Sequence, residues 1–123
     1  MFRNLLFVFI GGGLGSAARF GISLLLANIS KPVFPVATLC SNVLSCAVLG
    51  LTVFLLGEKM NTEMPLRLLI ITGFCGGFST FSAFSYETAE LMKSGNVAYA
   101  IVNVLLSVSV CLGIIYLFTR SHV

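Results

Sequence analysis

The stretch from Val97 to Thr119 reads VAYAIVNVLLSVSVCLGIIYLFT, inside a run of 26 uncharged residues between Lys93 and Arg120. A helix needs about 20 mostly apolar residues to cross the hydrocarbon core of a bilayer, so this stretch alone places the chain in a membrane. Working outward, charges recur as boundaries. Twenty-six uncharged residues separate Lys31 from Glu58, and 19 separate Arg67 from Glu87. From Asn4 to about Asn28 only Arg19 interrupts the apolar sequence. The pattern predicts one all-α transmembrane domain over residues 1–123, with spans near 4–28, 34–57, 67–92 and 97–119. The connections are short, around Lys31, from Gly57 to Pro65, and at Ser94-Gly95-Asn96, and leave no room for a soluble catalytic domain.

Composition agrees. Of 123 residues 58% are hydrophobic and 9% charged, with seven Lys/Arg against four Glu; the mean hydropathy is +1.07. Soluble domains carry about a quarter charged residues, so this chain has too few to be one, and it is too apolar to be disordered. Cys40, Cys46, Cys75 and Cys111 form no CxxC pair and lie in apolar runs, which argues against a disulfide scaffold and reads as buried, inert thiols. Arg3, the run Leu5–Ile10 and Gly15-Ser16-Ala17-Ala18 imitate a signal peptide, but apolar sequence resumes over Ile22–Ala27, giving a full span. With four spans, Arg3, Lys59, Arg67 and Arg120 share one side. Lys31 and Lys93, with Arg19 if it lies near that end, share the other. So small an excess fits either a noisy tally or dual topology, in which copies insert both ways.

Polar side chains within spans need partners or water. Thr38, Ser41, Asn42 and Ser45 share one face of the second span. Tyr99, Asn103 and Ser107 form a stripe on the fourth, with Ser109 to its side. Ser79, Thr80, Ser82 and Ser85 lie among Phe78, Phe81 and Phe84 in the third. One such stripe reads as helix–helix hydrogen bonding; three in four helices point to an aqueous or ion-lined path. No acidic residue falls inside spans one, two or four, and Glu87 and Glu90 sit towards the end of the third. A lining of hydroxyls and amides donates hydrogen bonds without fixed charge, which suits a small anion in transit.

Gly11 and Gly15 stand at GxxxG spacing, a packing signal. Gly73-Phe74-Cys75-Gly76-Gly77-Phe78-Ser79-Thr80-Phe81 is more unusual, because each Gly weakens a helix by about 1 kcal/mol relative to Ala. A break in mid-membrane is tolerated only where it is buried in protein or lines a cavity. It would free carbonyls for a cation and N–H groups for an anion.

The segment from Gly73 to Ser85, GFCGGFSTFSAFS, closely resembles the signature of the Fluc (CrcB-type) fluoride channels. Gly11-Gly12-Gly13-Leu14-Gly15-Ser16-Ala17-Ala18-Arg19-Phe20 and Thr38-Leu39-Cys40-Ser41-Asn42 support the resemblance over essentially the whole chain. It implies an antiparallel, dual-topology homodimer in the inner (plasma) membrane, with a break in the third helix. Its two pores would pass fluoride out of the cytoplasm passively. By the same likeness Phe81 and Phe84 offer positive ring edges to the ion, Asn42 an amide N–H, and Ser82 a hydroxyl. Thr38, Tyr99, Asn103, Ser107 and Ser109 are candidates for the remaining lining. Gly76 and Ser79 match the positions whose backbone carbonyls, two from each subunit, hold a central Na+, a sensible ligand set for a hard cation. Arg19 matches the first-span arginine, implying a structural or vestibule role; an interfacial snorkelling cation is the ordinary alternative.

The departures are modest. Ala37 and Ser45 stand where many relatives have glycine, Phe78 where leucine is common, and Ser79 where threonine is common. Ser45 either tightens or rewets its helix face. A small multidrug-resistance-type proton-coupled exporter would need a carboxylate in the first span, which holds none. A scaffold subunit would use the polar stripes for packing only. An enzyme fits least, since His122 is the sole histidine and no nucleophile–base pair or metal-ligand cluster appears.

Overall fold

The computed structural model describes residues 1–29, 33–57 and 64–120. Lys31, Glu58, Lys59 and His122 lie outside the described residues, as does most of the Gly57–Pro65 connection. All regular structure among the described residues is helical: α1 (Phe2–Ile29), α2 (Val36–Leu56), α3 (residues 65–78), α4 (Phe81–Lys93) and α5 (Val97–Thr119). Among the described residues four helical stretches are long and apolar enough to cross a membrane, α3 and α4 together making the third. In lipid a backbone must satisfy its own polar groups, and a helix does so within the segment.

Much of the interior is polar. Thr38, Ser41, Ser45, Asn103 and Ser107 are buried beside a small apolar set of Cys75, Phe78, Leu91 and Ala100. Large apolar side chains such as Phe9, Leu25 and Leu117 point outward. A water-soluble domain of this size would arrange them the other way round.

Backbone contact between α1 and α3 sets the packing. A Cβ on Gly11 would overlap the Leu69 carbonyl oxygen, one on Gly15 the Phe74 carbonyl oxygen, and one on Gly77 the Gly12 carbonyl oxygen. Small residues let helices in lipid approach until van der Waals contact runs along both backbones. On the other side α2 meets α5, where Phe118 packs over Gly50 and stands edge-on to Phe54 with ring centroids 6.3 Å apart.

α3 opens with Pro65 in its first turn, where the missing N–H costs nothing. Over Leu68–Cys75 it widens into a π-helix, and it closes with an α-turn at Gly76–Phe78. Ser79 (φ −83°, ψ 159°) and Thr80 (φ −153°, ψ 122°) are then extended before α4 begins. Thr80 caps α4, its Oγ1 accepting the Ala83 N–H at 3.0 Å, as a hydroxyl at an N-cap does. α4 ends in a tight turn through Gly95, whose φ of +88° favours glycine.

Candidate functional site

The extended pair Ser79-Thr80 is held from α2. Asn42 Oδ1 accepts the Thr80 N–H at 2.8 Å, while Asn42 Nδ2 donates to the Thr80 carbonyl at 3.3 Å. A carboxamide carries both an acceptor and two donors, so one side chain satisfies both backbone groups and keeps an N–H in reserve. One turn further along, Ser45 Oγ donates to the Cys75 carbonyl at 3.0 Å, and Cys75 Sγ donates to the Ser45 carbonyl at 3.5 Å. Ser45 therefore tightens the contact of α2 with α3. Ser79 adds its own anchor, its Oγ donating to the Cys75 carbonyl at 2.7 Å. From α1, Arg19 Nε donates to the Gly77 carbonyl at 3.2 Å, in the last turn of α3 before that loop.

These bonds redirect two donors that a continuous helix would use internally. The Thr80 N–H would pair with the Gly76 carbonyl four residues back, and the Ala83 N–H with that of Ser79. Asn42 takes the first and Thr80 Oγ1 the second. The Gly76 and Ser79 carbonyls are thereby freed from those partners. Gly76 is exposed, with open space where its Cβ would stand.

Beside this loop lies a cavity of about 250 Å³ walled by Asn42, Ser79, Phe81, Phe84 and Ser107, together with Cys46, Thr80, Val108 and Cys111. The Phe81 and Phe84 rings stand 5.8 Å apart between centroids, tilted at 43°. Phe84 is half-buried, while Phe81 is 80% exposed on the single protomer. None of the described residues that wall the cavity carries a formal charge.

α5 meets α4 through a chain of polar contacts under the same cavity. Ser107 Oγ donates to Asn103 Oδ1 at 3.2 Å, Asn103 Nδ2 donates to Thr88 Oγ1 at 2.9 Å, and Thr88 Oγ1 donates to the Phe84 carbonyl at 2.7 Å. Asn103 is 1% exposed and joins the helices rather than facing the cavity. The other expected residues are not drawn together there. Thr38 is buried within α2, Ser82 is exposed and pairs with Thr80 across 3.2 Å, and Ser109 is exposed. Tyr99 sets its ring edge-on to Phe34, centroids 6.3 Å apart. A second cavity of about 390 Å³ lies along Val33, Pro35, Glu87, Glu90, Leu91 and Ser94. There the Glu87 Oε1 atom is buried with no hydrogen-bond partner among the described residues.

Site residues assigned no individual role from the sequence include Thr80, Thr88, Cys46 and Cys111. Each had a local signal. Thr80 stands at the N-cap of a helix, a position that favours hydroxyls, and Thr88 is one turn beyond Phe84. Cys46 and Cys111 continue the Asn42 and Ser107 faces by one turn each.

Comparison with known proteins identifies relatives over most of the sequence. The sequence model of the family described as "CrcB-like protein, Camphor Resistance (CrcB)" matches residues 6–118. "Fluoride-specific ion channel FluC 1" of Yersinia pseudotuberculosis is 44% identical over 109 residues, covering 89% of this chain and 85% of that protein. "Fluoride-specific ion channel FluC" of Coxiella burnetii is 38% identical over 110 residues, 89% of each chain. The protein of that name from Flavobacterium psychrophilum is 37% identical over 118 residues, 95% of this chain and 93% of the relative. The chain belongs to the CrcB family.

Proposed function

We propose that this protein is a passive fluoride channel of the inner membrane, working as an antiparallel homodimer with two pores. The observation that carries the reading is the uncharged cavity where Asn42, Phe81, Phe84 and Ser107 converge on the loop at Ser79-Thr80. Its relatives' name, fluoride-specific ion channel, agrees with that lining.

The lining residues divide the work of replacing water. Fluoride surrenders a tightly held hydration shell, so each step along the route needs a substitute donor, and each must bind weakly enough to release the ion. Asn42 supplies its remaining Nδ2 hydrogen; its other groups are held by Thr80, which keeps the amide oriented. Ser107 supplies a hydroxyl, and the tilted rings of Phe81 and Phe84 turn weakly positive edges towards the ion. A fixed cation here would hold the anion too strongly, and a carboxylate would repel it.

The dimer reading draws on three features. Phe81 is exposed on the lone protomer, Gly76 is an exposed residue with open space at its Cβ position, and the charges of the two sides nearly balance. The released Gly76 and Ser79 carbonyls fit the demands of a hard monovalent cation, since they are neutral oxygens without their helical donors. In the assembly those two residues of each copy would hold Na+, which would supply a fixed positive charge at the interface. The interruption of the third span at Ser79-Thr80 places those carbonyls, and Arg19 and Asn42 hold the interruption in shape.

The test is efflux from liposomes containing the purified protein, read with a fluoride and then a chloride electrode. The expected result is rapid fluoride release with chloride retained. Vesicles tight to both ions, or leaky to both alike, would overturn the proposal.

A further inference from the structure

Two nucleophilic side chains in the cavity wall have no part in the ion route just proposed. Cys46 on α2 and Cys111 on α5 both line the cavity that holds Asn42 and Phe84. Both are free and half-buried. Cys46 lies four residues after Asn42 and Cys111 four after Ser107, so each sits one turn along a face that already lines the cavity. The other two thiols are placed differently. Cys75 is hydrogen-bonded to the Ser45 carbonyl, and Cys40 is absent from the cavity wall.

Paired thiols define the ligand class. Sulfur is a soft donor and selects soft, polarisable cations over the hard ions that carbonyls and carboxylates prefer. Among the described residues no three His, Cys, Asp or Glu side chains cluster to hold a metal, so a tetrahedral zinc site is not formed. Two thiolates on one cavity wall instead offer a pair of sulfur ligands, the set a two-coordinate soft cation takes. A divalent ion between them is net neutral, which avoids leaving charge in an apolar membrane interior.

We propose that Cys46 and Cys111 form a two-coordinate site for a soft divalent cation, with Hg2+ as its simplest probe, and that occupancy obstructs the adjoining ion route. On binding, two S–H bonds break, two S–Hg bonds form and two protons pass to water, with no change in oxidation state. The obstruction rests on the fluoride reading of the cavity; the binding site does not.

The experiment has two arms on the full chain. Mercuric nitrate is titrated into the detergent-solubilised protein while the sulfur-to-mercury charge-transfer absorption is followed. In parallel, fluoride efflux from liposomes is measured with and without the metal, each variant serving as its own reference. The absorption is expected to saturate at about one Hg2+ per chain, as two thiolates per ion requires. It should vanish in Cys46→Ser and in Cys111→Ser and persist in Cys40→Ser. Metal should slow efflux roughly tenfold or more in the native chain and in Cys40→Ser, as an occupied constriction would, and have little effect in the two site variants. Absorption that persists in the Cys46→Ser/Cys111→Ser double variant, or saturates at one metal per thiol, overturns the site. Saturated absorption with unchanged efflux overturns the obstruction. A chain that binds mercury but passes no fluoride even without metal refutes the channel assignment and leaves the site standing.

Discussion

Asn42 and Thr80 are paired in both directions: the side-chain oxygen takes the backbone N–H at 2.8 Å and the side-chain nitrogen gives to the carbonyl at 3.3 Å. The two residues are 38 apart in sequence, and their pairing is what lets two extended residues exist inside a membrane. It also fixes the amide's orientation, because only the oxygen can face an N–H donor.

Replacing that amide separates structure from transport. In Asn42→Asp the Thr80 N–H keeps an acceptor, but a carboxylate oxygen now faces the Thr80 carbonyl and places negative charge beside the anion route. Fluoride efflux is expected to be lost while the protein still elutes as a folded species. Asn42→Ala removes the partner of both half-buried Thr80 groups, each loss costing at most roughly 1–3 kcal/mol, so it should also unfold at lower temperature in detergent. Native efflux in the aspartate variant would remove Asn42 from the pathway.

Phe81 is expected to matter for flux and hardly at all for the stability of the lone chain, because it is 80% exposed there. Phe81→Ile keeps an apolar side chain and deletes the ring edge. Efflux should fall at least about tenfold, as loss of a stabilising contact worth on the order of 1.4 kcal/mol would produce, with thermal unfolding unchanged. A drop in unfolding temperature without a change in efflux would mark the ring as packing.

Gly15 and Gly13 offer a matched pair on α1. A methyl on Gly15 would overlap the Phe74 carbonyl, whereas one on Gly13 meets nothing within 4 Å. Gly15→Ala should therefore destabilise the protein by about 1–3 kcal/mol through a forced backbone shift. Gly13→Ala should be neutral or gain up to about 1 kcal/mol of helix propensity. Thermal unfolding of the two variants in the same detergent ranks them; equal unfolding temperatures would contradict the close approach of α1 to α3.

Asn103 and Thr88 provide a direct measure of an interhelical hydrogen bond in this bundle. Their 2.9 Å contact joins α5 to α4, and such bonds in membrane proteins contribute about 0.6–1.7 kcal/mol. A double-mutant cycle with Asn103→Ala and Thr88→Val should return a coupling in that range. A coupling near zero would mean that the bond exchanges freely with other partners.

The membrane-spanning helices were legible because their cause is local. Each needs only a long enough apolar run, and the runs ending at Leu56 and Thr119 carry that in their composition. Polar stripes were equally visible, since helical periodicity puts Thr38, Ser41 and Ser45 on one buried face without knowledge of any neighbour. The division of labour among the polar residues could not be read in advance. Asn103 and Ser107 look alike along the α5 stripe, yet Asn103 is spent on Thr88 and Ser107 faces the cavity. The sequence alone therefore determined an all-helical membrane protein with an uncharged polar interior, because burial in lipid follows from side-chain chemistry one residue at a time. Which amide grips a backbone, which thiols share a cavity and which carbonyls lose their helical donors depended on partners tens of residues away. Only the packing of α1, α2 and α5 around the loop at Ser79-Thr80 brings those partners within bonding distance.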